Sequence, residues 1–334
     1  MPRPLVILCL LTLWGACSKE QLLPDTVRPL ERATQAVAAL NGLTRTLQSS
    51  LLQTATAAPG FFAGPGLPAA PALNCPDTTY TVFSGGTQLL EVDFGAQCQL
   101  SNGASVGGFF DIINYSLGSI LAASDNAPAF LRFDTLHINN HTITTRLGPD
   151  QNYTKLVSRQ LFAPYTFDFK RAQGGGYNVG FADGSSAMLT VTSSDSAFLQ
   201  LTTPELPDLA SFQNLYTLPF RVHLADPPPT PSSGAYQDNN MRLFRADGTE
   251  YANLDINTEV DLDLSFACQY FTAGTLHLTE GSQINADVLR YTVEFGLDAT
   301  GAPVPPGSAC NDYRFMRVCD YAGGTPNCYT LLQQ

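Results

Sequence analysis

The chain has little positive charge: 17 Lys and Arg stand against 29 Asp and Glu in 334 residues, for a formal net charge of −12. That balance argues against nucleic acid and anionic membrane surfaces as partners, because both are bound through basic patches. Cations and neutral glycans stay open as ligands, and a solvated acidic exported protein fits the same numbers. Tryptophan occurs once, at Trp14, so a chain cut after the N-terminal leader has none. No segment beyond that leader reaches the ~18 apolar residues a spanning helix needs. Catalytic signatures are also missing. No Gly-x-Ser-x-Gly stands at a strand-to-helix turn, since its one occurrence, Gly103-Ala104-Ser105-Val106-Gly107, is followed by no helix signal. There is no Cys-x-x-Cys pair and no glycine-rich loop followed by Lys-Ser/Thr.

What the N-terminus does contain is a charged start at Arg3, an apolar run from Leu5 to Leu13, and the small pair Gly15-Ala16 directly before Cys17. A charged start, a short apolar core and small residues before a cut describe a secretory signal peptide. The cysteine after the small pair resembles a bacterial lipoprotein signal, the lipobox. The resemblance implies that Cys17 is acylated and becomes the first residue of the mature chain, with residues 1–16 removed. Trp14 departs from the pattern, in which a smaller or aliphatic residue stands three before the cysteine. The alternatives are an ordinary signal cleaved nearby and an uncleaved anchor, for which the apolar run is short. Two or three acyl chains hold a protein at a membrane stably.

Residues 17–26 read as a polar tether. From Val27 to Thr54, Leu30, Val37, Leu40, Leu43, Leu47 and Leu51 recur at steps of three, four and seven, which predicts an amphipathic helix. Its alanines favour that reading, and Asp25 or Thr26 is placed to cap its start. Such a helix either packs on the following domain or serves as a stalk. Residues 55–74, rich in Pro and Ala, read as a semi-extended linker.

From Cys75 the chain alternates strands and turns. Leu90, Val92 and Phe94 alternate with Glu91 and Asp93, and Tyr165, Phe167 and Phe169 with Thr166 and Asp168. Further strands are expected at 188–192, 220–224, 276–279 and 291–295. Asn102-Gly103, the Gly174–Gly176 run, Asp183-Gly184, Asp247-Gly248 and Gly323-Gly324 supply the turns. The expected class is all-β, an antiparallel sandwich, barrel or meander, with the helix at its N-terminus. The loop from Pro227 to Gly234 leaves open one domain over 75–334 or two lobes, 75–226 and 235–334.

Six cysteines remain after the leader and Cys17: Cys75, Cys98, Cys268, Cys310, Cys319 and Cys328. An even number in an exported chain reads as disulfides, with 15 pairings open. A faint repeat bears on the choice. A cysteine, a hairpin, Val92-Asp93-Phe94-Gly95 and Cys98 are echoed by Cys268, a hairpin, Val293-Glu294-Phe295-Gly296 and Cys310. The repeat favours Cys75–Cys98, Cys268–Cys310 and Cys319–Cys328. Ala182-Asp183-Gly184-Ser185 and Ala246-Asp247-Gly248-Thr249 form a second echo. The lipobox, Cys75-Pro76, Val92-Asp93-Phe94-Gly95-x-x-Cys98 with Asn102-Gly103, and Cys268-x-Tyr270-x-x-x-Gly274-Thr275 together resemble a group of uncharacterised β-rich surface lipoproteins of Gram-negative bacteria. The resemblance covers about a third of 75–310, implies location and fold class only, and is broken by the long loop before Cys310.

The strongest charge feature is the strand Asp255-Ile-Asn257-Thr-Glu259-Val-Asp261-Leu-Asp263, which predicts the acids on one face and Ile256, Val260, Leu262 and Leu264 on the other. A straight strand spreads its carboxylates and cannot wrap a Ca²⁺ ion alone, so a solvated face is expected. His137 and His141 have zinc spacing for a helix, but their context predicts a hairpin turning at Asn139-Asn140, with no third ligand nearby. His223 and His277 are the remaining histidines. Tyr153, Tyr165, Tyr177, Tyr236 and Tyr251 are candidate glycan platforms, with core packing the favoured role. No catalytic residue, metal or cofactor is assigned. The sequence therefore predicts a lipid-anchored protein of the outer membrane or cell surface with a structural or binding role. Its membrane contact would run through the lipid on Cys17, with a glycan or an envelope protein as further partner. A polysaccharide-acting enzyme or glycan-binding module is the rival.

Overall fold

The computed structural model describes residues 27–56, 77–82, 88–99, 105–113, 129–145, 154–158, 163–171, 175–191, 197–204, 219–224, 240–265, 268, 270–280, 290–321 and 325–333. The leader, Cys17, the tether, Cys75, Asn102-Gly103, Pro227–Gly234, Gly323-Gly324, Tyr153 and Tyr236 lie outside these residues.

One helix, α1 (Val27–Thr56), precedes a single antiparallel sheet. Its first strands are β1 (Asp77–Val82), β2 (Gln88–Asp93), β3 (Cys98–Gln99), β4 (Ser105–Ile113) and the long β5 (Ala129–Ile138). Beyond β5 the sheet splits into two half-width tracks. One runs through β6 (His141–Thr145), β9 (Gly175–Gly180), β10 (Ser186–Val191) and β13 (Asn240–Phe244). The other runs through β7 (Thr154–Ser158), β8 (Tyr165–Arg171), β11 (Ala197–Thr203) and β12 (Pro219–Leu224). Both tracks meet the 16-residue strand β14 (Glu250–Ser265). The sheet then continues through β15 (Ala273–Glu280), β16 (Arg290–Leu297), β17 (Phe315–Asp320) and β18 (Asn327–Leu332).

Because β10 pairs with β13 and β12 with β14, strands before and after the Pro-rich stretch share one sheet and one core. The chain does not divide there into lobes 75–226 and 235–334. Among the described pairings β1 bonds only β2 and β18 only β17, so the sheet is not closed into a barrel.

The helix is neither a stalk nor a surface element. Residues 36–47 are buried all the way round. The helix touches β5, β6, β9, β10, β13 and β17, strands drawn from nearly the whole width of the sheet, which therefore curls around it. Leu40, Leu43 and Leu47 meet the sheet on one side. On the others most residues are small, namely Ala33, Ala36, Ala38, Ala39 and Gly42, with Thr44 and Thr46, and the longer Asn41 and Arg45 are enclosed among them. The two buried threonine hydroxyls donate back to the Leu40 and Gly42 carbonyls at 2.9 Å each, so they enter the core without a lost hydrogen bond. Phe110, Phe133, Phe169 and Phe271 fill the concave face of the sheet around it.

The disulfides fasten the two ends of the molecule. Cys319 and Cys328 are directly opposed across the β17–β18 hairpin and bonded. Cys268, between β14 and β15, is bonded to Cys310, at the start of a short 3-10 turn after β16. Cys98 is disulfide-bonded as well.

The chain's glycine and histidine signals fall into place with one correction. Asp183-Gly184 and Asp247-Gly248 each close a three-residue hairpin loop. In both, the aspartate Oδ1 accepts from the backbone N–H two residues on, at 2.9 Å from Ser185 and 2.8 Å from Thr249. The second sequence echo is thus a pair of matching turns. The Gly174–Gly176 run, by contrast, is not simply a turn, because Gly175 and Gly176 open β9.

Candidate ligand cleft at the hairpin end

Strand directions place the turns after β5, β9 and β13 at the same end of the sheet, where α1 enters. There a cleft of about 740 Å³ opens between helix and turns. The helix contributes Glu31, Thr34, Gln35 and Ala38, residues spaced to share one face. Asn140 and His141 come from the β5–β6 turn, and Phe181, Ala182, Asp183 and Ser185 from the β9–β10 turn. Arg245, Ala246 and Tyr251 come from the β13–β14 hairpin. The volume lies within the range of small-molecule pockets.

Gln35 ties the floor together. Its Nε2 donates to the Ser186 carbonyl at 3.1 Å and the Phe244 carbonyl at 3.5 Å, while its Oε1 accepts from the Tyr251 hydroxyl. Burial, with the charges of Glu31 and Asp183, pushes the Tyr251 phenol well above its ordinary value, so it stays a hydroxyl donor. The Arg245 guanidinium sits over the Tyr251 ring, 5.5 Å from its centroid. The Ser185 hydroxyl and N–H, donating to Asp183 at 2.6 and 2.9 Å, hold that carboxyl below the usual range and therefore ionised. His141 packs edge-on against Phe181 with ring centroids 5.4 Å apart. Burial, with a smaller contribution from the Arg45 cation, lowers its pKa and favours the neutral ring.

The candidates read from the sequence are distributed differently. The β5–β6 hairpin turns at Asn139-Asn140, but it points His137 outward, 3.1 Å from the Thr142 hydroxyl, and His141 inward, so the two rings do not converge. Tyr177 is buried and bonded to Thr154, and Tyr165 packs against the core, leaving Tyr251 as the described tyrosine in the cleft. The acidic strand is β14. Its outward carboxylates meet side chains from the strands on either side: Asp261 the His223 ring at 2.9 Å, Asp263 the Arg221 guanidinium at 3.3 Å, and Glu259 the His277 ring at 2.9 Å. Val260 was expected on the inner face and is instead 55% exposed, because register shifts flank it between Thr258 and Asp263. Among the described residues no three His, Cys, Asp or Glu side chains are grouped to hold a metal ion.

Sequence reasoning passed over Glu31, Gln35, Asp183 and Arg245. The only signal they gave was the Asp-Gly turn at 183–184 and its echo at 247–248, read there as hairpin chemistry. Comparison with protein-family models, with curated proteins and with solved structures gives no match.

Proposed function

We propose that this is a lipid-anchored protein of the outer membrane or cell surface whose β domain binds a small ligand in the cleft at its hairpin end. The cleft of about 740 Å³, with charged and hydrogen-bonding groups converging from four separate segments, carries the reading. Its location rests on the lipobox-like Cys17 and accords with the disulfides, which persist in oxidising compartments.

The polysaccharide-cleaving alternative needs one carboxyl kept protonated as a general acid and a second beside it. Asp183 is held in its ionised form, which unsuits it for the acid role. The glycan-binding alternative needs a free aromatic face. Here Arg245 covers one face of Tyr251, and Phe181 is engaged by His141.

Metabolic labelling with a fatty acid, in the wild type and in Cys17→Ser, tests the anchor. Label in the wild type alone is expected, and equal label in both removes the anchor from the proposal. Calorimetric screening of the full chain against small charged and neutral ligands tests the cleft. A bound ligand whose affinity is unchanged in Arg245→Gln and Glu31→Gln would move the site elsewhere.

A further inference from the structure

Resting on the reading of the cleft as a ligand site, we propose that its ligand is a zwitterion, with an ammonium group held by Glu31 and Asp183 and a phosphate or carboxylate held by Arg245. Three observations carry this. Glu31, Asp183 and Arg245 are exposed and line the same cavity. They carry opposite charges yet do not neutralise one another: among the described residues no ion pair joins Arg245 to either acid or to any other carboxylate. Each also keeps a free binding edge. Ser185 occupies Oδ1 of Asp183 and leaves Oδ2, and Arg245 spends only its planar face on Tyr251.

A ligand that carries both charges is attracted by both kinds of group, whereas a singly charged one meets one attractive and one repulsive group and a neutral one gains neither charge–charge term. A guanidinium recognises phosphate or carboxylate through its fork of N–H donors, and paired carboxylates suit an ammonium. Of the neighbouring charged groups, Glu250 is bound to Arg242, His141 is biased toward neutrality, Asp247 feels the Arg245 charge from the same turn, and Arg32 acts on Tyr251 from the helix.

The same chemistry is offered by free phosphoethanolamine and by a phosphatidylethanolamine headgroup. The second source is within reach, since the nine residues 18–26 between Cys17 and α1 span at most about 32 Å when fully extended. The helix also enters the domain at the cleft end.

Titration calorimetry on the full chain carrying Cys17→Ser decides the matter with five probes: phosphoethanolamine, its N-acetyl form, ethanolamine, a neutral tetrasaccharide, and vesicles of phosphatidylethanolamine against phosphatidylglycerol. Phosphoethanolamine, free or as vesicles, is expected to bind about tenfold or more tightly than either form lacking one charge. Arg245→Gln should abolish the preference over ethanolamine, and Glu31→Gln should weaken the preference over the N-acetyl form. A response to the vesicles alone assigns the lipid as source, and a response to the free compound assigns a soluble ligand. If the tetrasaccharide binds and phosphoethanolamine does not, the zwitterion is overturned while the ligand site stands. If no probe binds, both fall.

Discussion

Gln35 of α1 and Ser186 of β10 are joined by a hydrogen bond of 3.1 Å across 151 residues of sequence. Ser186 is paired with Phe244 in the last rung of the β10–β13 ladder, and the same amide nitrogen reaches the Phe244 carbonyl. One helix side chain thus closes the end of a strand pair and also receives the Tyr251 hydroxyl. Gln35→Leu keeps the volume but strands the phenol and both carbonyls. The expected loss is about 1–3 kcal/mol in urea unfolding, together with weaker ligand binding because Tyr251 is no longer fixed. Unchanged stability would show that water replaces the amide at no cost.

His141 makes the cleft end sensitive to mild acid. Burial lowers its folded pKa below the ordinary 6.5. Below about pH 6.5 the unfolded chain therefore takes up a proton that the folded chain refuses, and stability falls as pH drops through the lowered folded value. Above that window the contribution is fully present. The expected result is a melting temperature that declines between pH 7.5 and 5.5 in the wild type and is flatter in His141→Gln. Burial shifts the carboxyls Asp111, Asp255 and Asp263 upward, the opposite direction. The difference between the wild type and His141→Gln, rather than the wild-type curve alone, therefore isolates this histidine. An identical slope in the variant would assign the dependence to another group.

Two glycines with similar backbone angles should respond differently to alanine. Gly108 has φ +92° at the β4–β5 register shift, and a Cβ there would lie 2.0 Å from the Thr135 carbonyl oxygen. Gly248 has φ +82° in its turn, with nothing within 4 Å of a Cβ. Gly248→Ala meets only the left-handed penalty of about 1–2 kcal/mol. Gly108→Ala must also push two strands apart, and a loss of more than about 3 kcal/mol is expected. Equal losses from thermal or urea unfolding would mean that the bulge relaxes freely.

The strands were readable because alternation records one buried face, and every run picked out in the sequence, from Leu90–Phe94 to Tyr291–Phe295, overlaps a strand or its immediate end. The helix span was readable for the same reason. Its setting was not. The leucine stripe describes one apolar face, and Ala33, Ala36, Ala38 and Ala39 read only as helix formers. In the fold their small size is what lets the sheet close in from every side. Val260 was misplaced because strict alternation assumes a straight register, and the shifts on either side of it turn the side chain out. The cleft was not legible at all. Glu31, His141, Asp183 and Arg245 are brought together only by the order in which the two tracks join β14.

Arg45 tests how much of the helix burial depends on polar contacts. The side chain is almost wholly enclosed; its Nε donates to Asn41 Oδ1 at 2.8 Å, and a terminal nitrogen donates to the Cys268 carbonyl, beside the Cys268–Cys310 bridge. Desolvation lowers its pKa from the ordinary arginine value to about 10. The folded state therefore disfavours the cation, and deprotonation would add stability only as pH rises above about 10. At neutral pH the charge is a cost that its two hydrogen bonds offset. Replacing a buried charge by an apolar side chain of similar volume is often neutral or stabilising. Arg45→Met is accordingly expected to stay within about 1 kcal/mol of the wild type, since the freed desolvation cost balances the unmet Cys268 carbonyl. Arg45→Ala removes the same bonds but also leaves a cavity beside Cys268 and its bridge, and a loss of about 3 kcal/mol or more is expected. Urea unfolding of the three proteins separates the two effects. A loss in Arg45→Met as large as in Arg45→Ala would show that the hydrogen bonds to Asn41 and Cys268, rather than the filled volume, hold the helix in the sheet.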